Sequence, residues 1–290
     1  MAIWNLGSIN ADMVYSLPHL PQAGETLAAG EFAQFLGGKG ANMSVAAARA
    51  GSHVCHIGAV GPEGTWARDR LMEYGVDTRH IAQIDTPTGH AIVAVDQGGE
   101  NQIILFPGAN RAITQDQLGQ ALSAASAGDI LVMQNETNLQ AEAARMGRDL
   151  GLQVAYAAAP FDAKAVQAVL PHIDLLFMNE VEAGQLQEAT GLAPEALGVA
   201  DVIITLGAKG ARHIHGPSGE VQEISALPVT PLDTTGAGDT FTGYVLAGLD
   251  RNMPMAQAMA QATRAAALMV TRHGTADVIP DLKEVQDARF

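Results

Sequence analysis

Asp233-Thr-Thr-Gly-Ala-Gly-Asp239-Thr-Phe-Thr-Gly-Tyr244 joins a glycine turn to the start of a helix. Gly236 and Gly238 permit backbone shapes that gather successive N–H groups. Phe241, Val245, Leu246 and Leu249 recur at helical spacing, so the periodicity predicts a helix over about 238–249. A glycine turn at a helix N-terminus is an anion site, because free N–H groups point outward at the positive end of the dipole. Asp239 falls in the first turn, where a carboxylate beside a phosphate is suited to taking the proton of an attacking hydroxyl. Taken alone, the same residues also read as an ordinary helix cap and turn.

Along the rest of the chain, short apolar runs alternate with helical patterns. Strands are expected at 3–6, 54–57, 129–133, 153–157, 174–177 and 201–206. Helices are expected at 40–50, 63–74, 139–150, 163–170, 180–189 and 254–271. Such alternation argues for an α/β fold with a mostly parallel sheet covered on both faces. Residues 90–95 and 102–106 flank Gln97-Gly98-Gly99-Glu100, a hairpin signal, and 211–224 read as a second hairpin. Between the first strand and about Leu36 the chain is polar and turn-rich. The expectation is one α/β domain over 1–290. An antiparallel excursion from about 11–35 and 87–107 would form a small lid over the C-terminal edge of the sheet, where open α/β sheets bind ligands.

Composition narrows the function. With 290 residues and 48% hydrophobic content the chain can bury a substantial core. A net charge of −15 lacks the basic footprint of a nucleic-acid binder. A phosphorylated ligand must therefore be held by local features: amides, a few cations, or a metal. Cys55 is the only cysteine, so no intrachain disulfide forms. In His53-Val-Cys55-His56 the alternation is read as turning Cys55 away from both histidines, which makes a buried inert thiol and a weak metal site. Met1-Ala-Ile-Trp-Asn-Leu reads as a first strand and not a signal peptide, and no run approaches the ~20 apolar residues of a membrane span. A cytoplasmic location is expected.

A second glycine segment is Gly37-Gly-Lys-Gly-Ala-Asn42-Met-Ser. Its spacing does not satisfy the P-loop pattern. Gly37-Gly38 permits close backbone approach to a ligand, and Lys39 and Asn42 offer donors to it. No Gly-x-Gly-x-x-Gly follows the first strand, where Gly7-Ser-Ile-Asn10 stands instead, so a dinucleotide-binding oxidoreductase is disfavoured.

These segments, with Asn10-Ala-Asp12, Pro21-Gln-Ala-Gly24-Glu25-Thr26, Gly108-Ala-Asn110, Asn179-Glu-Val-Glu182 and Thr205-Leu-Gly207-Ala-Lys-Gly210, stand in an order that resembles the ribokinase-like (PfkB) carbohydrate kinase family over nearly the whole chain. The resemblance implies a three-layer α/β/α body with a small β-sheet lid. It implies an ATP-dependent kinase acting on a sugar hydroxyl, with ribose converted to ribose 5-phosphate as the first choice.

By resemblance, Asn10, Asp12, Gly38, Lys39, Asn42 and Glu136 bind the sugar. Asp239 is the catalytic base, and Gly236, Ala237 and Gly238 form the anion hole. Asn179, Thr205, Gly207, Gly210 and Gly238 meet the nucleotide, and Glu182 acts on Mg²⁺ through water. Asp233, Thr235, Met269, Arg272 and Gly274 correspond to a K⁺ site. Val278 stands where relatives often place a hydroxyl, with Asp277 adjacent as a substitute. The adenine pocket carries no sharp motif. Dimerisation through the lid is implied, with Phe32, Phe35, Ile92 and Ile104 as an apolar face. Rival readings are a phosphosugar kinase, which needs extra cations, a nucleoside kinase stacking its base on Phe32 or Phe35, and a non-catalytic sugar sensor on the same fold.

Overall fold

Ile3 and Trp4 are adjacent in sequence and lie in different hydrophobic cores. The same division runs along the neighbouring strands. Ile130 and Val132 face one side, while Leu131 and Met133 face the other. Side chains on a strand alternate between faces, so a sheet buried on both faces needs apolar residues at every position. These runs supply them.

The structure, a computed structural model, describes residues 1–290. In chain order the strands and helices are β1 (Ile3–Leu6), β2 (Asn10–Ser16), β3 (Glu31–Gly37), α1 (Lys39–Arg49), β4 (Val54–Val60), α2 (Thr65–Glu73), β5 (Asp77–Gln83), β6 (Gly89–Val95), β7 (Asn101–Phe106), α3 (Gln115–Leu122), β8 (Ile130–Gln134), α4 (Gln140–Asp149), β9 (Gln153–Ala157), α5 (Ala163–Val169), β10 (Leu175–Asn179), α6 (Glu180–Thr190), β11 (Asp201–Thr205), β12 (Gly210–His215), β13 (Glu220–Ser225), α7 (Ala237–Asp250), α8 (Met255–Met269) and α9 (Leu282–Asp287). The large sheet has nine strands in the order β13-β12-β11-β10-β9-β8-β1-β4-β5. All its pairs are parallel except those of β12, which runs antiparallel to both β11 and β13. Helices α1, α2, α7, α8 and α9 cover one face, and α3 to α6 cover the other. The fold is a three-layer α/β/α sandwich. No helix is long and apolar enough to cross a membrane.

A separate four-stranded sheet has the order β3-β2-β6-β7. Residues 10–16 and 31–37 form two of its strands, within the polar stretch read as part of the excursion. The structure corrects the expected pairing: the excursion is not wholly antiparallel, because β2 pairs with β6 in parallel, Asp12 opposite Ala91. Register also divides the expected apolar face. Phe32 lies opposite Tyr15, and Ile92 lies opposite both Met13 and Ile104, all on one face. Phe35 lies opposite Asp12 and so belongs to the other face.

Two smaller corrections concern β5 and Cys55. β5 is an edge strand whose polar sequence hid it. The Cys55 side chain does not point away from both histidines. His53 is two residues distant and therefore on the same side, with its Nε2 4.0 Å from Cys55 Sγ. Only His56 faces the opposite way.

Candidate active site

The chain first adds strands to one side of β1 (β4, then β5) and later to the other (β8 onward), so the order of the large sheet reverses between β1 and β8. Ligands of open α/β sheets bind outside the C-terminal ends of the strands at such a reversal. Ser8 and Asn10 follow β1 there, and Glu136 follows β8.

Two glycine contacts draw the neighbouring elements in. A Cβ on Gly40 would stand 2.3 Å from Gly7 Cα, so only glycine lets the start of α1 touch the end of β1. A Cβ on Gly243 in α7 would stand 2.6 Å from Ala46 Cβ and 2.7 Å from the Met43 carbonyl oxygen of α1. The helices therefore cross at close range, and their N-terminal turns share one pocket. Beneath them runs a buried polar network. Asn5 Nδ2 donates to the Gly40 carbonyl and to Ser44 Oγ, both at 2.8 Å, and Gln134 Nε2 donates to Asn5 Oδ1 at 2.9 Å. His56 lies 2.8 Å from Ser44 Oγ through Nδ1 and 3.0 Å from the Gly7 carbonyl through Nε2. Burial pushes His56 down to about 4, so its ring is neutral and Nε2 is the donor to Gly7.

In the pocket, Asn42 Nδ2 donates to Asp239 Oδ2 at 2.8 Å, and both residues are buried. Asn42 Oδ1 is buried without a partner in the chain, an open acceptor for a hydroxyl. Lys39 is held above its ordinary value chiefly by the charge of Asp239, then by Glu136 and Glu182, against the opposing effect of burial. One ammonium thus sits in the field of three carboxylates carried by α7, α6 and the loop after β8.

The polar groups assigned to the sugar gather beside it. Glu136 Oε2 accepts from Ser8 Oγ and, at 3.0 Å, from the Lys39 backbone N–H. Asp12 lies over Gly37, where a Cβ would come within 2.0 Å of its carboxylate. Burial, with the Glu136 charge adding to it, pushes Asp12 up to about 7. Gly38 has φ 93°, a conformation strained for any residue with a Cβ. Asn10 Oδ1 accepts from Asn110 Nδ2 at 2.7 Å, while Asn110 Oδ1 accepts from the Ile9 N–H at 2.8 Å. Sequence reading placed Asn110 in the family pattern without assigning it a role. It clamps Asn10 to the end of β1. Ser8, which braces Glu136 and accepts from the Gly40 N–H at 3.1 Å, was missed as well.

At the start of α7, Gly236 has φ 77° and Thr240 N–H closes the first turn onto its carbonyl at 2.8 Å. The N–H groups of Gly236, Gly238 and Asp239 have no acceptor in the chain. Ala237 differs, since its N–H donates to the Thr234 carbonyl at 3.2 Å. Of the expected anion-hole donors one is therefore engaged, and the Asp239 amide is an additional free one. A Cβ on Gly238 would meet nothing within 4 Å, so there is open space in front of these amides.

That space continues into a cavity of about 460 Å³. Thr205, Gly207 and Gly210 line one side, Leu227, Pro228 and Val229 another, and Thr263, Ala266 and Val270 of α8 and its C-terminal end a third, with Gly238 among the lining residues. The walls are mainly apolar, and the segment after β13 was not legible as a binding element. Asn179 caps α6 and exchanges bonds with Glu182. Asn179 Oδ1 accepts from the Glu182 N–H, and Glu182 Oε2 accepts from the Asn179 N–H, each at 2.8 Å. Glu182 Oε1 has no partner, which leaves an outward carboxylate oxygen of the hard-donor type that suits Mg²⁺.

The loop at 233–235 meets the loop after α8. Asp233 accepts from the Thr235 N–H at 2.9 Å and from the Gly274 N–H at 3.2 Å. The carbonyls of Asp233, Thr235, Arg272 and Gly274 carry no donor from the chain, whereas that of Met269 accepts from the Arg272 N–H at 2.9 Å. Asp277 is not free to replace a missing hydroxyl at Val278, because its carboxylate accepts from Tyr74 Oη and its carbonyl lies 3.3 Å from Arg49.

Comparison with known proteins identifies the family and the fold. The chain matches the profile of the pfkB family carbohydrate kinases over residues 3–282. It is 34% identical to a ribokinase of Haemophilus influenzae over 294 aligned residues, which cover 96% of this chain and 95% of that protein. Its structure resembles the crystal structure of a Thermotoga maritima ribokinase with a TM-score of 0.88 at 29% identity, covering 99% of this chain and 98% of that one. It also resembles an Arabidopsis thaliana ribokinase solved in complex with ribose and ATP, with a TM-score of 0.88, 28% identity and the same coverage.

Proposed function

This chain belongs to the pfkB family of carbohydrate kinases, and from that premise we propose that it transfers the γ-phosphate of ATP to the 5-hydroxyl of ribose. The observation that carries the reading is Asp239. It is a buried carboxylate oriented by Asn42, and it opens the first turn of a helix whose free amides face empty space.

In this reading the sugar lies among Asn10, Asp12, Gly38, Lys39, Asn42 and Glu136. The Asp12 carboxylate accepts from sugar hydroxyls, and the open Asn42 Oδ1 accepts from another. Asp239 takes the proton of the attacking hydroxyl as its oxygen approaches the γ-phosphorus. The amides of Gly236, Gly238 and Asp239 donate to the phosphoryl oxygens. Ala237 joins them by giving up its long bond to Thr234. Lys39 adds positive charge on the sugar side.

The cavity between β11, the segment after β13, and α8 takes the adenosine moiety, with Thr205, Gly207 and Gly210 against it. Bound Mg²⁺ supplies neutralisation of charge on the β- and γ-phosphates. Glu182, through water and its unpaired oxygen, and Asn179 are the residues that would hold it. For K⁺, the unpaired carbonyls of Asp233, Thr235, Arg272 and Gly274 are the fitting donors, without help from Val278 or Asp277.

The small sheet acts as the lid, and its closure keeps water from the phosphoryl group. Its outer face carries Phe32 and Ile104, which are 57% and 63% exposed, and β7 is an unpaired edge strand exposed along its length. Apolar surface of this kind is covered by a partner, and a second copy of this chain is the one proposed.

The test is ADP release over pentoses, hexoses, phosphosugars and nucleosides, with and without K⁺. The highest kcat/KM with ribose supports the reading. Preference for a nucleoside or phosphosugar redirects it, and ribose binding without turnover would favour a sugar sensor.

A further inference from the structure

We propose that His53, Cys55 and Asp77 form a binding site for one thiophilic divalent cation, with Zn²⁺ as the best match, remote from the phosphoryl-transfer site. The three side chains converge where β4 and β5 begin, at the N-terminal ends of the parallel strands. The active-site loops leave the opposite, C-terminal ends.

The distances suit a shared ion. Cys55 Sγ is 4.0 Å from His53 Nε2 and 3.9 Å from Asp77 Oδ2, and the nitrogen and oxygen are 3.7 Å apart. A tetrahedral zinc site, with bonds of about 2.3 Å to sulfur and about 2.0–2.2 Å to nitrogen or oxygen, sets its ligand atoms about 3.3–3.6 Å apart. Each edge of the triangle needs to close by only a few tenths of an ångström. Sheet register holds two corners, because Cys55 lies directly opposite Asp77 in the β4–β5 pair. The third corner is adjustable. The His53 side chain is 59% exposed, and the contact with Cys55 and Asp77 is the only polar one its ring makes.

The set of one thiolate, one imidazole and one carboxylate is selective for zinc-like ions over Mg²⁺, which prefers oxygen donors. Arg79 holds the carboxylate, with Nε 3.0 and 2.9 Å from the two Asp77 oxygens and Nη2 2.5 Å from Oδ2, the oxygen that faces Cys55 and His53. It orients the Asp77 carboxylate, in the manner of an outer-shell partner. It is also the group with which the ion must share that carboxylate. Three protein ligands leave a fourth position for water on the solvent side, where His53 is exposed.

Cobalt tests this directly, because Cys55 is the only thiol in the chain and any Co²⁺–thiolate charge-transfer band must arise from it. The full-length reduced protein is titrated with Co²⁺, followed by Zn²⁺. The expected result is a near-ultraviolet band that saturates at one Co²⁺ per chain, is bleached by Zn²⁺, and is absent from Cys55→Ser. His53→Ala, which touches no core contact, should weaken Co²⁺ binding on the order of tenfold or more and leave kinase turnover unchanged. Absence of the band from the wild-type protein would overturn the site. So would a band whose affinity is the same in His53→Ala and Asp77→Asn.

Discussion

The Asn42 amide and the Asp239 carboxylate meet at 2.8 Å although 197 residues separate them in sequence. The contact follows from the crossing of α1 and α7, which Gly243 permits by lying against Met43 and Ala46. Both helices are buried around most of their circumference, α1 from Gly40 to Ala47 and α7 from Asp239 to Gly248. Together they set a carboxylate, an amide and an ammonium around one opening.

Asn42→Ala removes the group that aims Asp239 and the acceptor offered to the sugar. Turnover should fall by about 10- to 100-fold, the scale on which small misplacements of reacting groups are felt, and the ribose KM should rise as well. Steady-state kinetics on the two substrates separates these effects. An unchanged kcat would mean that the contact does not orient the base.

Asp12 gives the site a pH dependence. With its carboxyl pushed up to about 7, the free protein holds it largely protonated in mildly acidic solution, when it can accept fewer hydroxyl protons. The ribose KM should therefore fall as pH rises from about 6 to about 8, and Asp12→Asn should flatten that profile. The sign for stability is opposite. A carboxyl raised on folding binds its proton more tightly in the native state, so its contribution is lost as pH rises from the unfolded value toward about 7. Asp12→Asn should gain melting temperature relative to wild type over that interval. A pH-independent difference between the two would contradict the assignment.

Glycines at two positions should fail in different ways. Gly238→Ala meets no atom, so melting should be unaffected, but its methyl enters the space before the amides and should raise the ATP KM or lower kcat. Gly40→Ala drives a methyl into the Gly7 backbone and should cost about 1–3 kcal/mol or more, the scale of overpacking. Thermal melts and kinetics on both variants check the contrast.

Filling the apolar cavity tests the nucleotide assignment. Ala266→Phe adds a ring to the α8 wall. It should raise the ATP KM by about tenfold or more and leave the ribose KM nearly unchanged. Equal loss toward both substrates would place the cavity outside the nucleotide path.

The parts legible in sequence were those whose chemistry is local. The turn at Gly236–Gly238, the loop at Gly37–Gly40 and the cap at Asn179 each announce a backbone shape or a helix start, and the apolar runs announce the buried strands. What stayed hidden depends on partners distant in sequence. β5 is a sheet edge, and Asp77-Thr-Arg-His-Ile-Ala-Gln buries only Ile81, so it shows no strand pattern. β2 and β3 belong to a small sheet exposed over much of its surface, so no buried apolar run marks their bounds. The cavity wall at Leu227–Val229 becomes a wall only because α8 and β11 stand across from it. Asn110 gains a role only when β6 and β2 bring it to Asn10. The reading of Cys55 failed differently, since the period of two itself places His53 beside it.

Asp239→Asn provides the most direct measurement. The amide keeps the shape of the carboxylate but cannot take a proton. Turnover should drop by about 10²- to 10⁴-fold, the range for loss of a general base, while ribose affinity measured calorimetrically stays within about threefold of wild type. A variant that turns over ribose at nearly the wild-type rate would contradict the account, because the proton would then be leaving by a route that does not involve this carboxylate.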